Sequence, residues 1–333
     1  DIGEDIDAEI RKQGLLQKNI ILGTALVDMY MKCGVLEKAQ ELFEQLPQRN
    51  VASWNALIGG YAQHGLGEQA LKLFKEMQDV GIVPDAVTYM CALKACGLVG
   101  SLEVGEHIDA KVTKQGLLKN NVMLGTALLD MYSKCGAMQK AYEVFEKLLE
   151  RNVVTWGALI AGYVQHGLYH EALKFFRQMQ AAKVCPDALT YVGILKACGI
   201  LGFLEIGEEI DVEIRKEGLL HKYVVLGSAL VDMYSKCGAL EKARKAFEDL
   251  PEKNVVTWSA LIDGYAQHQL CDEVLKCFRQ MQDAGICPNA VTYVSILKVC
   301  GSVGSLDIGE DIDAEVRRQG LLNKNVVLGT ALV

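Results

Sequence analysis

Hydrophobic residues recur along the chain at the three- and four-residue spacing of amphipathic α-helices. In residues 255–289 two such stripes follow one another, and their members are Trp258, Leu261, Ile262 and Tyr265, then Val274, Leu275, Phe278 and Met281. Related segments carry Gly65 and Gly167 between the stripes, where a helix C-terminus favours positive φ. The pattern therefore predicts a pair of antiparallel helices in each segment.

This paired pattern repeats along the whole chain. Trp54, Trp156 and Trp258 are each 102 residues apart, and each 102-residue period divides into segments of 31, 35 and 36 residues. The register contains nine complete units, at residues 20–50, 51–85, 86–121, 122–152, 153–187, 188–223, 224–254, 255–289 and 290–325. Residues 1–19 match only the second half of a 36-residue unit, and residues 326–333 match only the start of a 31-residue unit.

One helix pair has too little core to be stable alone, but stacked neighbours bury each other's apolar stripes. The sequence therefore predicts an all-α fold. Its architecture is expected to be a right-handed α-solenoid superhelix of stacked antiparallel helix-turn-helix repeats, formed as a single array by residues 1–333.

Composition narrows the possible partners. The 333 residues carry a formal net charge of −8, with a pI of about 5.4, which argues against simple electrostatic binding of duplex DNA. No apolar run approaches the roughly 18 residues that a membrane span needs, so no membrane segment is expected. The acidic start, DIGEDIDAEI, resembles neither a secretory signal nor an Arg-rich transit peptide, so no targeting peptide is expected in this chain.

Cysteine and histidine also recur in register. Two of the cysteine sets are Cys33, Cys135 and Cys237, and Cys96, Cys198 and Cys300. Copies of one small buried residue in a reducing compartment explain these sets better than disulfides do. Because His64, His166 and His268 recur as well, a metal or redox site stays open as an alternative, although the spacing separates the copies by several repeats.

The rotating unit lengths of 35, 36 and 31 residues resemble the P, L and S motifs of plant organellar pentatricopeptide repeat proteins. The strings that carry the resemblance are NVVTWSALIDGYAQH for P, AVTYVSILKVCGSVGSLDIGEDID for L and VVLGSALVDMYSKCGALEKARKAFEDLPEKN for S. The triplets are unusually alike, which indicates a consensus-built, designed array or a recently duplicated natural one. The resemblance implies the RNA-addressing module of C-to-U RNA editing in a chloroplast or mitochondrion.

Many members of that family end in a zinc deaminase, which needs an H-x-E and a C-x-x-C sequence for metal binding and proton transfer. Neither sequence occurs in this chain. The chain is therefore not expected to be an enzyme, and no cofactor or metal is expected.

Such arrays read one base per helical repeat with two or three side chains. The resemblance implies that the fifth and last residues of a unit read the base, and that its second residue packs against base faces. The base-reading candidates are Thr24, Asn50, Asn55, Asp85, Thr126, Asn152, Asp187, Ser228, Asn254, Ser259 and Asn289. The base-packing candidates are Ile21, Met123, Val154, Val225 and Val256.

The candidate pairs predict a base order. Each S unit pairs a small hydroxyl with an asparagine, and this pairing is expected to read A because the hydroxyl leaves room for a purine and the amide both donates and accepts. The resemblance implies that Asn55 with Asp85 reads U, whose imino proton the carboxylate accepts, and that Ser259 with Asn289 reads A. The unit with Gly157 and the three L units, with Met90, Val192 and Val294 in fifth place, should discriminate weakly. The predicted RNA is A-U-n-A-n-n-A-A-n, with its 5′ end at the N-terminal side.

Each of these assignments has a structural alternative. Asn and Asp are good N-caps, and all the last residues precede predicted helices. Apolar second residues could be ordinary core. The phosphate candidates are Lys32, Lys134, Lys236, Lys94, Lys196 and Lys298, which could instead be solvated charges; Asp28, Asp130 and Asp232, four residues before the first three, could pair with them.

The expected partner is single-stranded RNA. By resemblance, a multiple organellar RNA editing factor is expected to bind at the L units. The competing function is a protein-interaction solenoid that holds an editing cofactor or a peptide in its groove.

Overall fold

The computed structural model describes residues 2–17, 19–304, 306–318 and 320, and the chain divides into two compact units, Asp1–His166 and Gly167–Val333. The helices of the first unit are α1 (Ile2–Lys12), α2 (Ile20–Lys32), α3 (Leu36–Gln45), α4 (Val51–Gln63), α5 (Gly67–Asp79), α6 (Ala86–Val99), α7 (Leu102–Lys114), α8 (Val122–Lys134), α9 (Met138–Lys147) and α10 (Val153–Gln165). Those of the second unit are α11 (Tyr169–Ala181), α12 (Ala188–Leu201), α13 (Leu204–Lys216), α14 (Val224–Lys236), α15 (Leu240–Glu248), α16 (Val255–Gln267), α17 (Cys271–Asp283), α18 (Ala290–Val303) and α19 (Leu306–Arg318). Short 3₁₀ helices follow α1, α7 and α13, at Leu15–Gln17, Leu117–Asn120 and Leu219–His221.

The even-numbered helices, called first helices below, begin at residues 20, 51, 86, 122, 153, 188, 224, 255 and 290. These are the residues at which the nine predicted repeat units begin. The odd-numbered helices from α3 onward are the second helices of the same hairpins. The end of the predicted unit 290–325 and the predicted partial unit 326–333 lie outside the described residues.

The hairpin turns occur where the sequence predicts them. Gly65 and Gly167 adopt φ of 79° and 72° directly after first helices. Gln269, which replaces glycine at the equivalent place, also adopts a positive φ of 59°. Because a residue with a side chain is strained at positive φ, the hairpin turn at Gln269 is less favourable in conformational energy than the turns at Gly65 and Gly167.

Within each of the two compact units, neighbouring first helices pack side by side. Each first helix also packs on the second helix of its hairpin wherever both helices lie in the same compact unit. The core includes three edge-to-face aromatic pairs, Phe43–Trp54, Phe145–Trp156 and Phe247–Trp258. A Cβ atom on Gly60 would lie 2.5 Å from Cγ of Met31, so this glycine permits the close approach of α4 to α2. No helix among the described residues is long and apolar enough to cross a membrane.

Candidate nucleic-acid interface

The second residue of each repeat is exposed, although it is apolar. The base-packing candidates Ile21 and Met123 are 76% and 71% exposed, and Val154, Val225 and Val256 are 45–56% exposed. All five lie in the first turn of a first helix. They are therefore not core residues. In each of these hairpins an apolar side chain in the first turn of the first helix is exposed to solvent.

The last residue of each P and S unit caps the following first helix through its Oδ1 atom. Asp85 and Asp187 accept from the backbone N–H of Thr88 and Thr190, both at 2.8 Å. The asparagine caps are Asn50, Asn152, Asn254 and Asn289, with their shortest bonds at 2.9–3.0 Å. The N-cap alternative is thus real for all six side chains, but a cap uses only one of the two terminal atoms of each side chain.

The cap fixes which atom remains for a ligand. A backbone N–H needs an oxygen acceptor, so each asparagine amide must hold Oδ1 at the helix and direct Nδ2 away from it. In the part of the chain that the structure describes, Nδ2 of these four asparagines has no partner. Outside the cap bond, asparagine therefore offers the donor Nδ2, whereas aspartate offers the acceptor Oδ2, and the expectation that the amide also accepts from a base stays a prediction.

Fifth residues reach the last residue in two P units. Asn55 donates from Nδ2 to Oδ1 of Asp85 at 3.0 Å. Oγ of Ser259 lies 3.3 Å from Oδ1 of Asn289, although the carbonyl oxygen of Val255, at 2.6 Å, is a nearer acceptor for its single proton. The structure therefore brings together the two predicted readers of these units.

The S units are different. Thr126 donates from Oγ1 to the carbonyl oxygen of Val122 at 2.8 Å, and Oγ1 of Thr24 is buried without a partner among the described residues. Ser228 is buried. Within the described ranges, no hydrogen bond joins these fifth residues to the last residues of the same S units. In the S units, therefore, the two predicted readers are not bonded to each other.

The third residue of the L units was missed by the sequence analysis. Thr88 donates from Oγ1 to Oδ1 of Asn55 at 2.6 Å, and Oγ1 of Thr292 lies 2.7 Å from Oγ of Ser259. Both threonines are fully buried. A hydroxyl three residues after an Asn or Asp cap is a capping signal that the sequence did contain, but the contact with a residue 33 positions earlier needs coordinates.

The carboxyl group of Asp85 is held in its charged form. Partial burial raises its pKa, but hydrogen bonds from the Thr88 backbone, the Asn55 amide and the Thr88 hydroxyl outweigh burial, and the net pKa is lower than the ordinary value. Asp85 is therefore an anionic acceptor at neutral pH.

The lysine candidates fall into two groups. Lys32, Lys134 and Lys236 each pair at 2.6 Å with the aspartate four residues earlier, Asp28, Asp130 and Asp232. Lys94, Lys196 and Lys298 are exposed, and among the described residues none of them has a carboxylate within ion-pair distance. The L-unit lysines are thus the less neutralised cations.

Reader and lysine candidates meet in one depression of the first unit. A cavity of about 310 Å³ lies on α2, α4 and α6, and Asn55, Lys32 and Lys94 line it together with Gly59, Met90 and Cys91. Asp28, which pairs with Lys32, also lines this cavity, so Lys94 is its less neutralised cation.

The repeated histidines have a structural role. Nε2 of His64, His166 and His268 lies 2.6, 2.5 and 3.0 Å from a backbone carbonyl of the preceding first helix. Because a carbonyl only accepts, Nε2 must carry the proton. No group of three or more potential metal ligands occurs in the described ranges.

The prediction of buried cysteines is correct for one set only. Cys96, Cys198 and Cys300 are buried, and burial raises the pKa of the Cys96 and Cys198 thiols to about 12. In the other set Cys33 is exposed, and Cys135 and Cys237 are half-buried, because this position ends a first helix instead of lying inside it.

Within each compact unit, stacked helix hairpins place a polar cap and an exposed apolar side chain at the start of successive first helices, which is the architecture of a helical repeat scaffold. Sequence models of the pentatricopeptide repeat match the chain at residues 49–97, 151–199 and 253–302, and at residues 24–51, 126–153 and 228–255. The chain belongs to the pentatricopeptide repeat family. A scaffold family of this kind agrees with the prediction that the chain is not an enzyme.

Individual relatives are longer than this chain. Pentatricopeptide repeat-containing protein At3g09040, mitochondrial, of Arabidopsis thaliana is 36% identical over 100% of the chain and 32% of the relative. Pentatricopeptide repeat-containing protein At4g18520, chloroplastic, of the same plant is also 36% identical, over 100% of the chain and 53% of the relative. The chain therefore spans about a third to a half of these relatives.

Solved structures share the fold. The crystal structure of the pentatricopeptide repeat protein PPR10 in complex with an 18-nt psaJ RNA element matches with a TM-score of 0.76 and 17% identity, over 93% of this chain and 46% of that chain. PPR10 from maize matches with a TM-score of 0.54 and 19% identity, over 98% of this chain and 57% of that one. The predicted all-α solenoid of helix-turn-helix repeats is confirmed.

Proposed function

We propose that this repeat array binds single-stranded RNA and reads about one base per repeat. The observation that carries the proposal is the pairing, at the start of successive first helices, of an exposed apolar second residue with a capping Asn or Asp whose second terminal atom is free of the cap. A flat base can pack on the apolar side chain while its edge meets the polar atom. The RNA bound by PPR10, a protein of the same fold, supports this assignment.

The atoms left free by the caps imply a base for each unit. Uracil carries a donor at N3, which suits Oδ2 of Asp85, and Asn55 in fifth place fills the space beside a pyrimidine. Adenine carries an acceptor at N1, which suits the Nδ2 donor of a capping asparagine. The units that read A are those with Thr24 and Asn50, Thr126 and Asn152, Ser228 and Asn254, and Ser259 and Asn289.

The remaining units contribute less selectivity. Gly157 offers no polar side chain beside Asp187, and the fifth residues of the L units are aliphatic. The target in this proposal is A-U-n-A-n-n-A-A-n, with its 5′ end at the N-terminal side and its phosphates near the exposed lysines.

Titration of the chain with RNAs that differ one base at a time tests the proposal. We expect a change at any of the five specified positions to weaken binding by about three- to tenfold, since each removes one hydrogen bond. Changes at the four unspecified positions should have little effect. Equal affinity for a scrambled RNA would reject base reading, and failure to bind any RNA would favour a protein-interaction solenoid.

The same proposal places the array in organellar RNA editing. Relatives carry mitochondrial and chloroplastic names, and the rotation of P, L and S unit lengths resembles editing-factor arrays. In this setting the array supplies the RNA address, and a multiple organellar RNA editing factor binds at the L units. Pull-down of this chain with such a factor, with and without target RNA, tests the partner.

A further inference from the structure

The boundary between a P unit and the following L unit contains a closed hydrogen-bond network. Oγ1 of Thr88 accepts from the backbone N–H of Asp85 at 3.1 Å, and its single proton has two acceptors in reach, Oδ1 of Asn55 at 2.6 Å and Oδ1 of Asp85 at 2.9 Å, of which Asn55 is the nearer. Nδ2 of Asn55 then donates to Oδ1 of Asp85 at 3.0 Å. The third residue of the L unit thus touches both candidate readers of the P unit before it.

The network recurs in the second compact unit. Oγ1 of Thr292 lies 2.7 Å from Oγ of Ser259 and donates to Oδ1 of Asn289 at 3.0 Å, while Ser259 also reaches Oδ1 of Asn289. Thr292 is fully buried, as Thr88 is. The arrangement is therefore kept although the fifth residue differs between the two P units.

The boundary between an S unit and the following P unit lacks this connection. Thr257 occupies the third place of a P unit, is equally buried, and its hydroxyl accepts from the backbone N–H of Asn254 at 3.0 Å and donates to the Asn254 carbonyl at 2.9 Å. Among the described residues, that hydroxyl has no bond to Ser228, the fifth residue of the preceding S unit. Within the described ranges, the bonds of this hydroxyl are those that complete the cap.

We propose that Thr88 and Thr292 are positioning residues through which L units set the base selectivity of the P units before them. The inference rests on the proposed function and gives a role to L units, which have no polar fifth residue of their own. A hydroxyl has one proton and two lone pairs. When Thr88 donates to Oδ1 of Asn55, it fixes the amide so that Nδ2 meets Asp85, and both readers are held before a base arrives.

The variant Thr88→Val tests the proposal, because it keeps the shape of the side chain and removes only the hydroxyl. The measurement is the ratio of dissociation constants for two RNAs that carry C or U at the second position. We expect the preference for U to fall by about three- to tenfold, which corresponds to one lost hydrogen bond. Preferences at the A positions should stay as in the unchanged protein, and Thr88→Ser should restore the preference for U.

Thr257→Val is the matched control. It removes an equally buried capping hydroxyl, so it should lower the melting temperature about as much as Thr88→Val does, but the preference for A at the seventh position should not change. An unchanged preference for U in folded Thr88→Val would overturn the proposal. A comparable loss of selectivity in Thr257→Val would also overturn it, since capping alone would then explain the effect. If the unchanged protein shows no base preference at any position, the proposed function fails first.

Discussion

At the residue scale, the identity of an apolar or polar residue is compatible with a structural role and with a binding role, and only the coordinates distinguish the two. The sequence could not decide whether Ile21 or Val154 belongs to the core, because apolar residues are common both there and on binding surfaces. Their exposure excludes the core. For Asn50 and Asp85 both roles are compatible, because the cap occupies Oδ1 and leaves the other atom free.

The cap geometry predicts the result of exchanging Asp and Asn. Asp85→Asn keeps the cap, since Asn is as good an N-cap as Asp, but it replaces the free acceptor with a donor. We expect the second RNA position to change its preference from U to C, with about tenfold weaker binding of the original RNA. Binding to RNAs with each of the four bases at that position measures this.

The converse exchange is the control. Asn289→Asp should change the eighth position from A to G, since it replaces a donor with an acceptor at an equivalent cap. If both variants keep the preferences of the unchanged protein while remaining folded, the atom outside the cap does not contact the base.

At the element scale, the starts of the helices could be predicted and the joints between hairpins could not. An Asn or Asp followed by a periodic apolar stripe marks every first helix except α14, which follows Tyr223, because the cap and the stripe are local signals. The joints depend on pairs far apart in sequence. Tyr132 donates to Asp109 at 2.7 Å between S and L hairpins, and Lys140 pairs with Glu106 across the same joint. Nothing local in the sequence identified these partners.

The close approach of first helices gives a test at this scale. Gly60→Ala would place a methyl group 2.5 and 2.7 Å from Cγ and Cβ of Met31, atoms that cannot swing far from their backbone. We expect the variant to lose about 1–3 kcal/mol of stability despite the better helix propensity of alanine. The midpoint of chemical denaturation measures the loss.

Gly105→Ala is its matched control. This buried helical glycine also faces a methionine, but its Cβ would meet Sδ and Cε of Met131, the flexible end of the side chain. We expect a change of less than about 1 kcal/mol because the thioether can move aside. An equal loss in both variants would show that helix spacing is not set by contacts near the backbone.

At the scale of the whole molecule, a net charge of −8 must be reconciled with an RNA partner. The sequence gives the total charge, but it predicts only some of the ion pairs that the charged residues form. The spacing of Asp130 and Lys134 predicted their pairing, which the structure has. That Lys94 stays without a carboxylate partner among the described residues could not be predicted, since it depends on which side chains of neighbouring hairpins come near.

This charge distribution predicts that three aspartates limit RNA affinity locally. The triple variant Asp28→Asn, Asp130→Asn and Asp232→Asn frees three lysines from pairs that compete with phosphate. We expect roughly fivefold tighter binding at low salt. We also expect a steeper dependence of log affinity on log salt, by up to about 2 for three additional phosphate contacts.

A second triple variant, Glu103→Gln, Glu205→Gln and Glu241→Gln, changes the net charge equally at exposed positions on second helices. At a salt concentration of about 0.1–0.15 M it should change affinity much less than the aspartate variant does, because surface charges separated by more than about 8–10 Å are then largely screened. Equal gains from both variants would mean that RNA responds to the total charge of the protein and not to lysines on the first helices.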